Sequence, residues 1–283
     1  MKKVTFILAI CLGLCTTLTA QNVWDSSFEL GRAYLSVSAD GNVFKAYANS
    51  EHSGITYSPN GDFHGWYQLL ESETTELYGL TVSRQGRVFV LPSDQNHVLY
   101  TDDLGETWHQ SIDFLEHHIE KAPMYAVSND TLLVYDEGML HWTFDAGTTW
   151  NATTLPFIEE RTLFGDMIVD EYFNVFISTY NWLTTGVDGM GIFNASLQHL
   201  DQWNTWALVP GGVKDLELDR LQNVYATTNG AFEHPNYRLY LVPTDRIGIA
   251  NDGTVFTTLR VDYKHVVWRI QPTMVSILHN LVR

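Results

Sequence analysis

Cysteine is almost missing from this chain. There are two, Cys11 and Cys15, both within the first fifteen residues. A disulfide-stapled scaffold is therefore excluded, and so is thiol catalysis in the body of the chain. Basic residues are also scarce: 16 Lys and Arg face 33 Asp and Glu, for a net charge of −17. That balance argues against grip on a nucleic-acid backbone, which needs clustered cations, and against adhesion to anionic lipid. Only 17% of residues are charged while 45% are apolar, so the chain is not of the disordered class. Long apolar runs are lacking beyond the N-terminus, and none reaches the roughly 20 residues of a spanning helix. No membrane insertion is expected. What remains is 283 residues able to bury a sizeable core.

The N-terminus reads as a targeting segment. Lys2 and Lys3 precede the apolar run Val4–Cys15, and Thr16–Ala20 supply small residues before Gln21. The run is about a dozen residues, too short to span a bilayer. A signal peptide over 1–20, cut after Ala20, is expected, with one domain over 21–283. Removal of that segment leaves 263 residues, no cysteine and a net charge of −19. A secreted or periplasmic bacterial protein follows as the expectation.

The body repeats itself. An alternating apolar run, a tight turn and a β-branched or aromatic run recur, as in Leu35–Phe44 and Leu80–Phe89. Further copies are Tyr125–Val134, Ile168–Phe176, Leu216–Tyr225 and Ile249–Phe256. Aligned on Val43, Val88, Leu133, Val175, Val224 and Val255, the spacings are 45, 45, 42, 49 and 31. Period-two alternation around Asp-Gly or Asn turns predicts antiparallel strand pairs. A period near 45 with several strands per unit predicts an all-β propeller of four-stranded antiparallel blades. Six blades are expected, with five and seven as alternatives. The last spacing leaves little room for an outer strand after Arg238–Val242. The segment Asn22–Phe28, with Trp24, is expected to join the last blade and close the ring.

A second motif recurs between the third and fourth strands of a unit. Thr101-Asp102-Asp103-Leu104-Gly105-Glu106-Thr107-Trp108 and Thr143-Phe144-Asp145-Ala146-Gly147-Thr148-Thr149-Trp150 share a Thr-x-Asp-x-Gly-x-Thr-Trp pattern. Ser58–Trp66 and Ser196–Trp203 look like degenerate copies. Here the chain resembles the Asp-box (BNR) repeat propellers, the superfamily that includes sialidases. In the hairpin, Asp102 and Asp145 are expected to accept hydrogen bonds from turn amides. Gly105 and Gly147 are expected to supply positive φ. Trp108 and Trp150 should bury large rings, so the box residues, with Thr107 and Thr149, read as structural.

Strands named a to d from the axis outward place the a–b and c–d turns on one face. The b–c and d–a connections then share the other, with the longer and more varied loops, where functional residues concentrate. The ligand-site candidates there are Asp136, Glu137, Tyr180, Trp182, Asp188, Glu233, His234, Tyr237 and Asp262. Aromatic faces beside carboxylates suit a polyhydroxylated ligand. The sialidase resemblance would imply an arginine clamp, which the ten arginines do not assemble on this face. A net negative chain also repels an anionic sugar. No catalytic set is apparent, and no cofactor or metal is expected, since the scattered histidines have no ligand spacing. Two functions are carried forward. One is a non-catalytic module, itself a monomer, that binds a protein, peptide or neutral glycan. The other is a glycoside hydrolase using two loop carboxylates.

Overall fold

The computed structural model describes residues 34–48, 53–61, 65–72, 77–116, 123–158, 162–181, 190–209, 211–228, 239–242, 246–249, 255–261 and 264–270. Twenty-two strands in this part form six sheets, four of four strands and two of three. The first holds β1 (Tyr34–Val37), β2 (Val43–Ala48), β3 (Ser53–Ser58) and β4 (Tyr67–Ser72). The second holds β5 (Leu77–Val82), β6 (Val88–Pro92), β7 (Leu99–Thr101) and β8 (His109–Gln110). The third holds β9 (Met124–Ala126), β10 (Leu132–Asp136), β11 (Met139–Thr143) and β12 (Asn151–Thr154). The fourth holds β13 (Leu163–Val169), β14 (Asn174–Tyr180), β15 (Gly191–Ser196) and β16 (Asn204–Leu208). The fifth is β17 (Val213–Leu218), β18 (Val224–Thr228) and β19 (Leu239–Val242). The sixth is β20 (Arg246–Ile249), β21 (Val255–Val261) and β22 (Lys264–Ile270). The first strands pack in succession, β1 beside β5, then β9, β13, β17 and β20.

The second strands show why the sheets stack. Val88-Phe89-Val90-Leu91 is buried throughout, so the strand reads as a continuous apolar run rather than an alternating one. Val88 and Val90 face the first sheet's Phe44, Ala46 and Ile55. Phe89 and Leu91 face the third sheet's Ala126, Leu132 and Val134. The third and fourth sheets meet through Leu133, Leu140, Val175 and Ile177. The fourth and fifth meet through Ile168, Phe176, Leu216 and Val224. Each such side chain contributes about 1.5–3 kcal/mol on burial. The core is thus a series of slabs between sheets.

The a–b turns share one cap. The backbone N–H of Asn42 donates to Ser38 Oγ at 3.2 Å, and that of Arg87 to Ser83 Oγ at 3.0 Å. Asn174 N–H donates to Asp170 Oδ1 at 2.8 Å, and Asn223 N–H to Asp219 Oδ1 at 2.9 Å. Short polar side chains mimic a backbone turn in this way.

The c–d hairpins are also uniform. Ser58, Thr101, Thr143 and Ser196 each end a third strand. Trp66, Trp108, Trp150 and Trp203 each stand one residue before a fourth. One assignment must be corrected. The turn carboxylate of the first full box is Asp103, not Asp102. Asp103 Oδ1 accepts from the Thr107 N–H at 2.9 Å and the Thr101 hydroxyl at 2.7 Å. Those Thr107 and Thr101 donors hold its pKa down to about 2. Asp102, one residue earlier, points to the neighbouring strand and takes the Arg87 guanidinium, Nε at 2.8 Å and Nη2 at 2.7 Å. In the second box Asp145 Oδ1 accepts from the Thr149 N–H and the Thr143 hydroxyl, both at 2.8 Å. The Trp150 ring stacks on Phe114 at 3.8 Å, and Trp108 packs into the slab between the first two sheets.

The box glycines do more than turn the chain. A Cβ on Gly105 would lie 2.7 Å from the Leu69 carbonyl oxygen, and one on Gly147 would collide with Ser111. Each turn therefore docks on the outer strand of the preceding sheet, and no side chain fits between.

The fifth sheet departs from the expected pattern. β19 falls where a third strand was read, but it runs parallel to β18, with Val224 opposite Leu239 and Thr227 opposite Val242. The chain returns to the start of β18 before pairing, so the third strand is entered from the other end. No fourth strand accompanies β19 or β22 among the described residues. The targeting segment and Asn22–Phe28 lie outside the described residues, and with them the expected ring closure.

Substitutions separate strain from docking. Gly41→Ala meets only its positive φ of 82°, in open space, and should cost about 1–2 kcal/mol. Gly147→Ala, at φ 84° and against Ser111, should cost about 2–4 kcal/mol and lower the thermal midpoint by roughly 5–12 °C. Equal losses in the two variants would count against the docking role.

Candidate functional site

Only part of the sequence-derived mouth can be placed. Asp136 is the last residue of β10, and Glu137 and Gly138 form a two-residue turn with φ of 41° and 92°. Positive φ at both positions matches a type I′ hairpin, which suits the twist of paired strands. Glu137 is exposed, whereas Asp136 is buried. Asp136 Oδ2 lies 4.0 Å from His141 Nε2 on β11. His141 is itself buried against Phe114, ring centroids 5.5 Å apart, and burial pushes its pKa below the ordinary histidine value. Tyr180 ends β14, bridges Gly212, and has the Lys214 ammonium 5.8 Å from its ring centre. Asp136 and Tyr180 thus belong to different sheets. Trp182, Asp188, Glu233, His234, Tyr237 and Asp262 lie outside the described residues.

The structure adds a cluster that the sequence reading passed over. Inner strands β13 and β17 each carry a bulge, between Phe164 and Met167 and between Val213 and Leu216. A bulge holds an extra residue, bends the strand and re-aims side chains, and bulges recur beside active sites. Gly165 occupies the first bulge because Val213 O and the Ser178 hydroxyl approach too closely for a Cβ. Asp166 follows it, with its N–H donating to Ser178 Oγ at 2.9 Å. Asp166 Oδ2 then accepts the Leu216 N–H across the sheet boundary at 3.0 Å. Asp215 occupies the facing bulge, and Glu217 follows two residues later. Leu216 and Leu218 turn into the slab, which leaves Asp215 and Glu217 on the other side of β17.

Burial raises the Glu217 pKa, and the negative charges of Asp166 and Asp215 raise it further, to about 8. Glu217 is therefore the acid of the three that keeps its proton near pH 7. The alternation Asp215-Leu216-Glu217-Leu218 was a usable signal. Charged residues alternating with buried leucines on the innermost strand of a ring can only face the axis or the next sheet. Among the described residues no group of three or more His, Asp or Glu is arranged to hold a metal ion.

On the opposite, a–b face, Arg84, Tyr125, Val127, Val169, Glu171 and Phe173 enclose a cavity of about 50 Å³. The Tyr125 hydroxyl donates to Val169 O at 3.4 Å, and burial raises its pKa. Among the described residues no helix is long and apolar enough to cross a membrane.

The folded protein holds the Glu217 proton more tightly than the unfolded chain does. Its contribution to stability is full below pH about 4.5 and is lost as pH rises through about 8. Glu217→Gln, a permanent mimic of the neutral acid, should leave the melting midpoint near wild type at about pH 4. At about pH 9 it should raise the midpoint by ~5 °C or more. A midpoint shifted equally at both pH values would show that Glu217 is not the titrating group.

No protein-family model matches the chain, and no curated protein matches it in sequence. Solved structures do match. Virginiamycin B lyase from Staphylococcus aureus is 12% identical, over 87% of this chain and 86% of that one, with a TM-score of 0.56. The Dos1 propeller is 12% identical, over 84% and 70%, with a TM-score of 0.51. The GH74 enzyme of Niastella koreensis is 16% identical over 84% of this chain, which spans only 30% of its length, with a TM-score of 0.46. At such identities the likeness is one of fold, and its members include enzymes. The stacked sheets around successive inner strands, together with the likeness to the virginiamycin B lyase and Dos1 structures, give this chain the β-propeller fold.

Proposed function

We propose that the protein is an exported, non-catalytic β-propeller of six blades. In this reading a signal peptide over 1–20 is removed, and a protein, peptide or neutral glycan binds on the face of the b–c and d–a connections. The observation that carries it is Asp136. Of the loop carboxylates eligible for acid chemistry two can be placed: Asp136 is buried beside His141, and Glu137 is exposed on a tight turn. Among the described residues neither stands opposite a second carboxylate across a pocket, as glycoside hydrolysis requires. An anionic sugar remains a poor ligand. Arg87 is committed to Asp102 and to the Asn129 carbonyl, and Arg84 and Arg220 belong to turns on the other face.

A second reading rests on Glu217. A neutral glutamic acid beside Asp166 and Asp215 on the inner strands is the pairing of a general acid with a carboxylate base. A hydrolase of neutral glycans would then work through these residues.

An array of neutral glycans, with retention and released reducing ends read on the same spots, separates the two. Retention without release is the expected result. Release that falls by about 10²–10⁴ in Glu217→Gln would replace the module with the hydrolase.

A further inference from the structure

Three c–d hairpins share a two-residue tip in the left-handed region. Leu104-Gly105 has φ of 56° and 87°, Ala146-Gly147 of 56° and 84°, and Asn60-Gly61 of 52° and 66°. The same tip is built with leucine or alanine in first place, so the turn does not require asparagine at 60. Among the described residues Asn60 is the one asparagine followed by glycine.

That pair is chemically reactive. The Gly61 backbone nitrogen attacks Asn60 Cγ, the Cγ–Nδ2 bond breaks, and ammonia leaves with the proton of the Gly61 N–H. The product is a five-membered cyclic imide. Water then opens the ring at either carbonyl. Cleavage of the Cγ–N bond gives aspartate in a normal chain. Cleavage of the other C–N bond gives isoaspartate, with the chain running through the side chain. Water is the only co-reactant. A glycine after the asparagine leaves the attacking nitrogen unhindered and free to rotate.

The surroundings of Asn60 leave it open to this reaction. Asn60 is exposed, and its N–H donates to Asn42 Oδ1 at 3.1 Å. Its own carboxamide is held by no hydrogen bond among the described residues. Attack requires the Asn60 ψ to leave its value of 25°, and Gly61 permits that rotation. A Cβ on Gly61 would meet no described atom closer than Val43 Cγ2 at 3.7 Å, whereas Gly105 and Gly147 are wedged against the preceding sheet. The a–b turns hold the internal controls. Asn174 Nδ2 donates to Asp170 Oδ2 at 2.9 Å, and Asn223 Nδ2 to Asp219 Oδ2 at 2.7 Å. Each is followed by valine, whose branched side chain crowds the attacking nitrogen.

We propose that Asn60 is a modification site, deamidated to aspartate and isoaspartate in the folded protein. Each event adds one negative charge to the c–d turn of the first sheet. The isoaspartate product also lengthens the chain by one carbon between the N–H bonded to Asn42 and Gly61.

Peptide mapping by mass spectrometry, during incubation of the folded protein at mildly alkaline pH, is the test. A gain of about one dalton is expected on the peptide that holds Asn60, in two products that separate by chromatography. Asn174 and Asn223 should stay unchanged. Conversion should slow several-fold in mild acid, because the attacking nitrogen must lose its proton. Asn60→Ala should fold as wild type and lose both products, since Ala146 already occupies the same position in a sister turn. The same incubation in guanidinium chloride gives the unfolded rate. An undocked tip opens at little cost, so the folded rate should lie within about tenfold of the unfolded one. A slower folded-state conversion overturns the proposal, as does conversion of Asn174 or Asn223 at the rate of Asn60.

Discussion

A sheet with two apolar faces is stable only when both are covered, and in this chain the cover for each face is the neighbouring sheet. The slabs formed by Val88 and Val90 on one side and Phe89 and Leu91 on the other supply the driving force. Directional bonds then fix the register between sheets. The Val82 N–H donates to Ser36 Oγ at 3.1 Å, the Ala126 N–H to Thr81 Oγ1 at 3.2 Å, and the Leu216 N–H to Asp166 Oδ2 at 3.0 Å. In each case an inner strand lends a polar side chain to the next inner strand's backbone. At the outer rim Gly105 and Gly147 let one hairpin dock on the preceding sheet. Burial holds the stack together, and these inner and outer contacts decide how it is aligned.

That division explains what was legible in the sequence. Features that act within one repeat could be read. The turn residues, the second-strand apolar runs and the tryptophan before each fourth strand all satisfy local demands, and they recur because the demand recurs. The degenerate Ser58–Trp66 and Ser196–Trp203 hairpins keep the strand end and the tryptophan while losing the acidic turn, so the ring and its position outlast the carboxylate. Asp102 and Asp103 show the limit. The Thr-x-Asp spacing shared with Asp145 points to Asp103, as the hydroxyls of Thr101 and Thr107 bear out, but the Arg87 partner of Asp102 comes from another turn and no motif announces it. The parallel entry of β19 was equally illegible, because pairing direction depends on where the chain returns and not on the composition of the strand.

The site was legible in part for the same reason. Long varied loops announce a functional face, yet they specify no geometry. The bulges of β13 and β17 fall on strands read simply as repeat copies, and a bulge is a property of a strand and its partner together. Once both bulges are in place, Asp166, Asp215 and Glu217 are gathered by backbone geometry alone. Their mutual repulsion is relieved by the proton on Glu217 and by the Leu216 amide on Asp166. Here the ordering contact between sheets and the candidate chemistry use one carboxylate. Asp166 cannot be altered for one role without disturbing the other.

Charge constrains the inner strands and the a–b face alike. On the inner strands Asp166 and Asp215 are close enough to raise the pKa of Glu217, so further negative charge there is opposed. On the a–b face Arg84, Arg87 and Arg220 stand among Asp103, Asp145, Asp170, Glu171 and Asp219, so the excess of acid continues there. Because the capped turn holds its shape whether its tip is Asp-Gly or Tyr-Phe, tip residues can change without cost to the sheet stack. Surface chemistry on this face is thereby uncoupled from the constraint that aligns the fold, which is the condition for a repeated scaffold to acquire a contact on one side only.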